Sequence, residues 1–360
     1  MTPQAFKVGI SRDFLSSGGE RTFDTLAWQS LTSQSGVTVE FLAPSAGSPI
    51  TRDDVCNFDA LIIKRNPVAA STIAPDGPGQ MRLRLLARNG VGVDHIDVQA
   101  CTAAGIAVAT TPDAVARPVA SSVMAMMLAF AHDLFARDRL ARSGPWKDRW
   151  NRTSPALTGR TLGIVGLGNI GLELVRLAAP WEMRVLGATR TVNKSRYADL
   201  GITTVPLDTL LAESDFVSLC CPLTAETRRL IDARALARMK PQAYLINTAR
   251  GEVVDEQALV QALTNRQIAG AGIDVYETEP ALPSNPLFAL ENVILGSHNL
   301  AYTDEINAKS NRSVVAAVCS LANGQAPTYT INRSALDHPR QASLSSVDAS
   351  RHGAPGAPVR

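Results

Sequence analysis

Three polar side chains in the second half of the chain, Arg250, Glu279 and His298, could together bind an anion and move a proton. A guanidinium binds a carboxylate through two parallel hydrogen bonds, and an imidazole exchanges a proton near neutral pH. A neighbouring carboxylate can orient such an imidazole. Taken singly, each side chain also has an ordinary structural explanation. The histidine gains weight because the chain has five histidines, and two of them, His338 and His352, lie near the C-terminal end.

A glycine-rich segment, GLGNIG at residues 166–171, directly follows the apolar run LGIV at residues 162–165. After a strand, the first glycine permits a tight turn and the second lets the backbone approach a pyrophosphate. The third lets the next helix pack on the strand. The N-terminus of that helix then offers unpaired N–H groups to the phosphates. The segment therefore predicts a dinucleotide-binding site.

The residues that follow the next strand indicate which dinucleotide binds. An NAD site usually places an acidic residue about 20 residues after the glycines, where it binds the ribose 2′-hydroxyl. Thr189 and Arg190 occupy that region here, so the carboxylate that would repel a 2′-phosphate is missing. A hydroxyl and a guanidinium suit a 2′-phosphate. We expect NADP as the preferred cofactor; the alternative is NAD, with Arg190 as a solvated loop residue.

An ordered set of motifs is similar to that of a known family. The motifs are NGVGVDHID at residues 89–97, GLGNIG at 166–171, CPLT at 221–224, INTARGEVVD at 246–255, DVYETEP at 274–280 and the late His298. The chain resembles the D-isomer-specific 2-hydroxyacid dehydrogenases, which include phosphoglycerate, glycerate and hydroxypyruvate-type enzymes. The resemblance extends over residues 5–332.

This resemblance implies a role for each residue at a matching position. Arg250 would hold the carboxylate and carbonyl oxygen of a small 2-keto acid, and His298 would be the general acid when that keto acid is reduced. Glu279 would hold the imidazole and favour its protonated form. The nicotinamide would supply the hydride chemistry. The implied cofactor-binding residues are Gly166, Gly168, Asn169, Ile170, Gly171, Thr189, Arg190, Cys221, Pro222, Thr248, Ala249, Arg250, Asp274 and His298.

The resemblance also implies a substrate site in the first half of the chain. Backbone N–H groups at residues 89–92 would bind the substrate carboxylate, since glycine allows close approach. A second loop carries two cations that could favour a phosphorylated or otherwise dianionic acid, or could be a solvated basic loop. The implied substrate-binding residues are Lys64, Arg65, Asn89, Gly90, Val91, Gly92 and Arg250.

Short apolar runs alternate with helix-length connections along most of the chain. Their continuous apolar character predicts parallel strands that are buried on both faces. One series comprises residues 7–10, 37–42, 60–63, 83–87 and 106–109, and a second comprises 162–165, 184–186, 216–219, 244–246, 269–275 and 293–295. A long apolar helix at residues 115–134 joins the two series. A last helix is predicted from Thr303 to about Asn323.

The two series predict an α/β protein with two doubly wound lobes and a cleft between them: a flavodoxin-like substrate domain and a Rossmann dinucleotide-binding domain. The substrate domain is predicted to be discontinuous, comprising residues 1–111 and 301–332, and the dinucleotide-binding domain to span residues 112–300. After residue 332 the chain is rich in Ser, Ala, Pro and Arg. Residues 333–360 are therefore predicted to be a flexible tail.

Composition argues against other classes of protein. With 45% hydrophobic residues, 19% charged residues and a net charge of +2, the chain is typical of a globular protein without a nucleic-acid or membrane surface. The N-terminal region lacks the features of an export signal, and the longest apolar stretch, residues 119–131, is shorter than the ~20 residues of a membrane span. The five cysteines show no zinc or redox spacing. We therefore expect a cytoplasmic protein with reduced thiols and no metal site.

Two other interpretations stay open on the sequence. Some relatives of this scaffold are corepressors that sense dinucleotides, and the intact Arg250, Glu279 and His298 set argues against such a binding-only role. A closer alternative is a dehydrogenase for another small anion, such as formate or phosphite. The resemblance also implies a homodimer, with contacts expected at residues 115–134 and 144–152; the alternative for the apolar segment 115–134 is a place in the core.

Overall fold

The computed structural model describes residues 5–74, 81–151, 153–190 and 197–342. The chain forms two compact units: unit 1 comprises Met1–Ala114 and Asp304–Arg360, and unit 2 comprises Val115–Thr303. The predicted domain boundaries fall a few residues before those of the units. Residues 343–360 of the predicted tail and Arg152 of the predicted dimer contact lie outside the described residues.

Strands and helices alternate through both units. The strands are β1 Phe6–Ile10, β2 Val37–Phe41, β3 Ala60–Ile63, β4 Leu85–Arg88, β5 Ala107–Ala109, β6 Thr161–Val165, β7 Arg184–Ala188, β8 Ile202–Thr204, β9 Phe216–Leu219, β10 Tyr244–Asn247, β11 Gly270–Ile273 and β12 Val293–Leu295. The helices are α1 Thr25–Thr32, α2 Arg52–Val55, α3 Ala70–Ile73, α4 Val98–Ala103, α5 Pro112–Ala131, α6 Leu134–Ser143, α7 Asn169–Ala178, α8 Leu207–Glu213, α9 Ala233–Arg238, α10 Glu256–Thr264 and α11 Asp304–Ala322.

Unit 1 is built on a parallel five-stranded sheet in the order β2-β1-β3-β4-β5. This is the flavodoxin-like order, so the predicted fold of this half is confirmed. Helices α1 and α11 cover one face of the sheet, where Leu31 and Val318 are fully buried. Helices α2, α3 and α4 cover the other face. Burial on both faces explains why the strands read as continuous apolar runs.

Unit 2 is built on a parallel seven-stranded sheet in the order β12-β11-β10-β9-β6-β7-β8. The order reverses between β6 and β9, as in a Rossmann fold, which confirms the second predicted fold. Helices α5 and α7 cover one face and α8, α9 and α10 the other. The edge strand β8 was not predicted from the sequence; it has only three residues, Ile202–Thr204.

Helix α5 has the length of the helix predicted at residues 115–134 but begins and ends three residues earlier. It has 20 residues, Pro112–Ala131, and by length and composition alone it could cross a membrane. However, 67% of its most apolar window is buried inside the protein, as in the core helix of a soluble fold. Val123 and Met127, for example, pack in the core of unit 2.

The C-terminal clasp, residues 332–342, folds back onto unit 1, which corrects the prediction that the flexible tail begins at residue 333. The Asn332 side chain accepts a hydrogen bond from the N–H of Val108 in the edge strand β5, at 2.7 Å. The buried Gln341 amide donates to the carbonyl of Gly105 at 2.9 Å. Composition did not predict the clasp because polar side chains that satisfy backbone groups hold much of it, alongside apolar contacts of Ala335 and Leu336.

Candidate active site

The glycine-rich turn joins β6 to α7 at the carboxyl edge of the unit 2 sheet. Gly166 has a φ of +98°, and a Cβ at this position would lie 2.7 Å from the backbone nitrogen of Cys221. A Cβ on Gly171 would lie 2.3 Å from the carbonyl oxygen of Gly166. Around Gly168, by contrast, no heavy atom of the described residues lies within 4 Å of that position. The turn is therefore tight at Gly166 and Gly171 and open at Gly168. This arrangement fits a dinucleotide phosphate at the start of α7.

The predicted cofactor-binding residues all lie in unit 2, close to the carboxyl ends of its strands. Asn169 and Ile170 begin α7 after β6, Thr189 and Arg190 follow β7, Cys221 and Pro222 follow β9, Thr248, Ala249 and Arg250 follow β10, Asp274 follows β11, and His298 follows β12. Because the strands are parallel, these ends share one edge of the sheet. The strand order reverses there, which is where α/β folds bind nucleotides.

Thr248 carries a buried hydroxyl that is available to a bound ligand. Within the described ranges, its Oγ1 has no hydrogen-bond partner. The turn around it is fixed, because the buried Asn247 side chain accepts from the N–H of Ala249 at 3.0 Å and donates to the carbonyl of Arg250 at 2.9 Å. Buried polar groups nearly always have partners. A nicotinamide nucleotide at this edge fits such an unsatisfied group.

Arg190 lies exposed at the end of β7, in the electrostatic range of Glu226. The pKa of Glu226 is lowered mainly by a hydrogen bond from the Thr224 hydroxyl, and the positive charge of Arg190 adds a smaller effect. A ligand phosphate beside Arg190 would therefore meet a guanidinium whose charge is partly balanced by a carboxylate.

Two adjacent cysteines follow β9 and face the glycine turn. Burial raises the pKa of the Cys220 thiol to about 12 and that of Cys221 to about 11. Both therefore stay protonated near neutral pH and act as small apolar groups. In the part of the chain that the structure describes, no three His, Cys, Asp or Glu side chains are grouped to hold a metal ion.

Glu279 and His298 meet directly, although 19 positions separate them in the sequence. Nδ1 of His298 lies 2.6 Å from Oε2 of Glu279, and the backbone N–H of Tyr276 donates to Oε1 at 3.1 Å. Burial acts to raise the pKa of Glu279. The hydrogen bond and charge of His298, the Tyr276 N–H and the charge of Arg250 outweigh it, so the net pKa is lowered. Glu279 is thus held as a carboxylate against the imidazole.

His298 stands on a constrained turn, residues 296–300. Its φ of +57° lies in the left-handed region, which costs about 1 kcal/mol for a residue with a side chain. The backbone carbonyl of Asp274 accepts from the N–H of His298 at 2.7 Å, and its Oδ1 accepts from the N–H groups of Asn299 and Leu300 at 3.2 and 3.4 Å. Burial raises the pKa of Asp274, and these hydrogen bonds oppose that rise only in part. Asp274, predicted to bind cofactor, therefore also shapes the His298 turn.

Arg250 occupies the turn after β10, close to the segment that carries Glu279. A Cβ on the next residue, Gly251, would lie 1.9 Å from the carbonyl carbon of Tyr276, so glycine is required for this approach. The charge of Arg250 helps to lower the pKa of Glu279. Unit 2 therefore places the Arg250 guanidinium and the His298 imidazole within electrostatic range of the Glu279 carboxylate.

The predicted substrate residues in unit 1 lie at the carboxyl ends of β3 and β4. Gly90 has a φ of +130°, and a Cβ there would lie 1.2 Å from Nη1 of Arg88. Its N–H donates to the Thr111 hydroxyl at 2.9 Å. The buried Asn89 amide donates to the side chain of Asn311 in α11, also at 2.9 Å. The Asn89 side chain and the backbone N–H groups of Asn89 and Gly90 therefore hold the loop. The predicted binding of a substrate carboxylate by backbone N–H groups of residues 89–92 then depends on Val91 and Gly92.

Lys64 and Arg65 form the second predicted substrate loop, after β3. Burial lowers the pKa of Lys64, the charge of Asp13 opposes this effect, and Arg65 reinforces it. Arg65 forms an ion pair with Asp13 at 2.8 Å. Val91 is exposed and Gly92 is partly exposed. All these residues belong to unit 1, whereas the three predicted catalytic residues belong to unit 2.

Sequence reasoning missed two residues that hold the site together. Asn247 lies in the INTARGEVVD motif and Tyr276 in DVYETEP, but no sequence feature assigns either residue a role. The Tyr276 hydroxyl donates to the carbonyl of Gly296 at 2.7 Å. Neither bond has a sequence signature, because each joins a side chain to backbone, and only the fold shows which backbone groups come close.

Comparisons with known proteins identify the family of this chain. Residues 124–299 match the family model for the NAD-binding domain of D-isomer-specific 2-hydroxyacid dehydrogenases. The glyoxylate reductase of Thermococcus onnurineus is 40% identical over 291 residues, 79% of this chain and 86% of that protein. The crystal structure of a glyoxylate reductase from Paecilomyes thermophila matches with a TM-score of 0.78 and 27% identity, over 91% of this chain and 98% of the other. An acyclic imino acid reductase in complex with NADPH and D-Arg matches with a TM-score of 0.76 and 25% identity, over 90% and 99%.

These matches support an oxidoreductase that acts on CH–OH donors with a nicotinamide cofactor. They give no support to the corepressor alternative or to a formate- or phosphite-type enzyme. The chain belongs to the D-isomer-specific 2-hydroxyacid dehydrogenase family.

Proposed function

We propose that this protein is an NADPH-preferring reductase of small 2-keto acids of the glyoxylate and hydroxypyruvate type. The observation that carries the proposal is the contact of 2.6 Å between Glu279 Oε2 and His298 Nδ1. With Nδ1 engaged by a carboxylate, Nε2 is the ring nitrogen that can exchange a proton with a substrate. This arrangement suits proton transfer to a carbonyl oxygen.

Each residue of the trio has a separate task in the proposed reaction. The Arg250 guanidinium binds the substrate carboxylate and polarises the carbonyl. His298 donates the proton from Nε2 to the carbonyl oxygen, and Glu279 stabilises the charged imidazolium before the transfer. The cofactor, when bound, supplies the hydride to the carbonyl carbon. In the reverse direction, His298 accepts the proton of a D-2-hydroxy acid.

The charge of the Lys64–Arg65 loop bears on the choice of acid. Asp13 pairs with Arg65 at 2.8 Å and so offsets part of the positive charge of the loop. A substrate with one carboxylate therefore fits better than one with an added phosphate. The similarity to glyoxylate reductases points in the same direction. A phosphorylated acid such as 3-phosphohydroxypyruvate is the second candidate, since Lys64 and Arg88 add cations to this end of the sheet.

The test is a scan of NADPH and NADH oxidation at 340 nm against glyoxylate, hydroxypyruvate, pyruvate, 2-oxoglutarate and 3-phosphohydroxypyruvate. We expect the highest kcat/KM for glyoxylate or hydroxypyruvate with NADPH. A preference for 3-phosphohydroxypyruvate would select the second candidate. No turnover of any of these acids, in protein that binds the cofactor, would refute a reductase of this type.

The preference for NADPH is argued from the end of β7. Thr189 and the exposed Arg190 follow Ala188, the last residue of that strand, and offer a hydroxyl and a guanidinium to a 2′-phosphate. Glu226 is the nearby acidic group whose charge Arg190 partly balances. NAD would use the same edge with less affinity, because it has no 2′-phosphate for the guanidinium to bind.

We further propose that the protein is a cytoplasmic homodimer. Helix α6 and the following single turn, Trp146–Trp150, contain no buried residue. Even the large apolar side chains of this segment are open to solvent: Trp146 is 64% exposed and Trp150 is 79% exposed. Such exposed apolar groups favour a protein partner, and a second copy of the chain is the occupant that we propose. The five cysteines are free thiols, which suits a reducing compartment. Sedimentation equilibrium should give a dimer mass that Trp146→Glu with Trp150→Glu reduces to that of the monomer.

A further inference from the structure

Tyr276 is the residue of the DVYETEP segment that contacts both loops of the proposed proton-transfer pair. Tyr276 is 6% exposed, and its ring packs edge-on against Phe288, with centroids 5.9 Å apart. Its hydroxyl donates to the carbonyl of Gly296 at 2.7 Å, and its backbone N–H donates to Oε1 of Glu279 at 3.1 Å. One buried residue thus binds the Glu279 carboxylate and the start of the His298 turn.

The turn needs such an anchor because its backbone is strained. His298 has a φ of +57°, and strained residues of this kind persist only where their surroundings hold them. Asp274 holds the later part of the turn, through the N–H groups of His298 and Asn299. At the start of the turn, the N–H of Gly296 donates to the carbonyl of Ile273, and the Tyr276 hydroxyl fixes the Gly296 carbonyl. Tyr276 therefore orients the peptide between Gly296 and Ser297, at the start of the turn that carries His298.

We propose that Tyr276 is a positioning residue that aligns His298 with Glu279 through the hydroxyl–Gly296 hydrogen bond. The proposal rests on the function proposed above, since it assigns no contact between Tyr276 and substrate or cofactor. It deepens that function by adding a residue outside the trio that sets the geometry of the imidazole.

The change that isolates this bond is Tyr276→Phe. Phenylalanine keeps the buried ring against Phe288 and the backbone N–H to Glu279, and removes only the donor to Gly296. We expect kcat for keto acid reduction to fall about tenfold, from the loss of one buried hydrogen bond and the resulting misplacement of the imidazole. The dissociation constant of NADPH, measured by fluorescence, should stay within about twofold. The matched control is Tyr244→Phe. Tyr244 is the first residue of β10, whereas the site residues follow the last residue of that strand, so kcat of this variant should equal that of the wild type.

A double-mutant cycle with Glu279→Gln separates positioning from general loss of structure. If Tyr276 acts through the His298–Glu279 contact, Tyr276→Phe should lower kcat much less in the Glu279→Gln background than in the wild type. Fully additive effects would overturn the proposal. A merely structural role would show the same fold loss in both backgrounds, together with a lower urea midpoint.

A second measurement does not depend on turnover. In protein labelled with [15N]histidine, which has five histidines, the His298 Nδ1 proton should give a resonance protected from solvent exchange by Glu279. The Tyr276→Phe variant should lose that protection, whereas Tyr244→Phe should keep it. An unchanged resonance in Tyr276→Phe would refute the inference even if the wild-type protein reduced none of the acids. Inactive wild-type protein with the expected change in resonance would refute the proposed function alone.

Discussion

Replacing Glu279 by glutamine tests the charge that faces His298 while keeping the size of the side chain. Oε2 lies 2.6 Å from Nδ1, and the Glu279 and His298 side chains are 36% and 47% exposed. A hydrogen bond to a charged group contributes about 1.5–3 kcal/mol, and water at these exposures screens the pair toward the lower end. We therefore expect kcat/KM for keto acid reduction to fall about tenfold, which corresponds to about 1.4 kcal/mol.

The pH profile gives an independent check with a definite sign. The pKa of Glu279 is lowered, so the effect of its carboxylate is present above the ordinary range of a glutamate and is lost only as pH falls through the lowered value. Wild-type activity should persist to a lower pH than an ordinary glutamate would allow, and should then fall as Glu279 becomes protonated. This acid limb of the pH profile should be absent in Glu279→Gln. Initial rates from NADPH oxidation, with buffers of constant ionic strength, provide the measurement.

Glu277→Gln is the matched control, because it removes the same charge two positions away. The Glu277 carboxylate lies 3.6 Å from Arg229, a weak surface pair, so kcat/KM should change by less than about twofold. A Glu279→Gln variant that is as active as this control, or that keeps the same loss of activity at low pH as the wild type, would refute the role of the Glu279 charge.

Three further predictions concern other parts of the chain. Arg190→Asp should lower the NADP/NAD ratio of kcat/KM by about 30-fold or more, through loss of a charge-assisted bond to the 2′-phosphate. The control is the same change at Arg234, an exposed residue of α9, which should leave the ratio unaltered. Deletion from residue 332 onward should lower the free energy of unfolding by at least about 2 kcal/mol, through loss of the clasp hydrogen bonds. Deletion of residues 343–360 alone removes none of these bonds and should leave the free energy of unfolding unchanged. Equal urea midpoints for the two deletion variants would contradict the clasp assignment. At pH 8, iodoacetamide should label Cys56 before Cys220, because both are partly exposed but the pKa of the Cys220 thiol is raised to about 12. Equally rapid labelling of Cys220 in folded protein would count against that raised pKa.

Most of the fold could be predicted from the sequence because burial on both faces leaves a strong signal. Strands such as β3 and β9 are buried along their whole length, and each reads as a short apolar run. The edge strand β8 escaped prediction because a three-residue strand with one fully covered position carries little of that signal. The clasp escaped because Asn332 and Gln341 are held by bonds to backbone, which composition does not show.

The site was predictable in its residue types and less so in its supporting bonds. Motif order placed Glu279 and His298 in unit 2, and the structure brings them within 2.6 Å of each other. Their catalytic roles stay predictions until the variants are measured. The support from Asp274 and Tyr276 could not be predicted, since it depends on which carbonyls and N–H groups the two turns present to each other.

The discontinuous make-up of unit 1 has a consequence for how the chain is made. The strands β1–β5 leave the ribosome first, yet α11, whose Val314 and Val318 cover one face of their sheet, is synthesised only after the whole of unit 2. Unit 2 is continuous and can fold as it emerges. The face of the first sheet that α11 covers therefore stays incomplete while Val115–Thr303 are synthesised, and apolar surface is exposed in the nascent chain during that time.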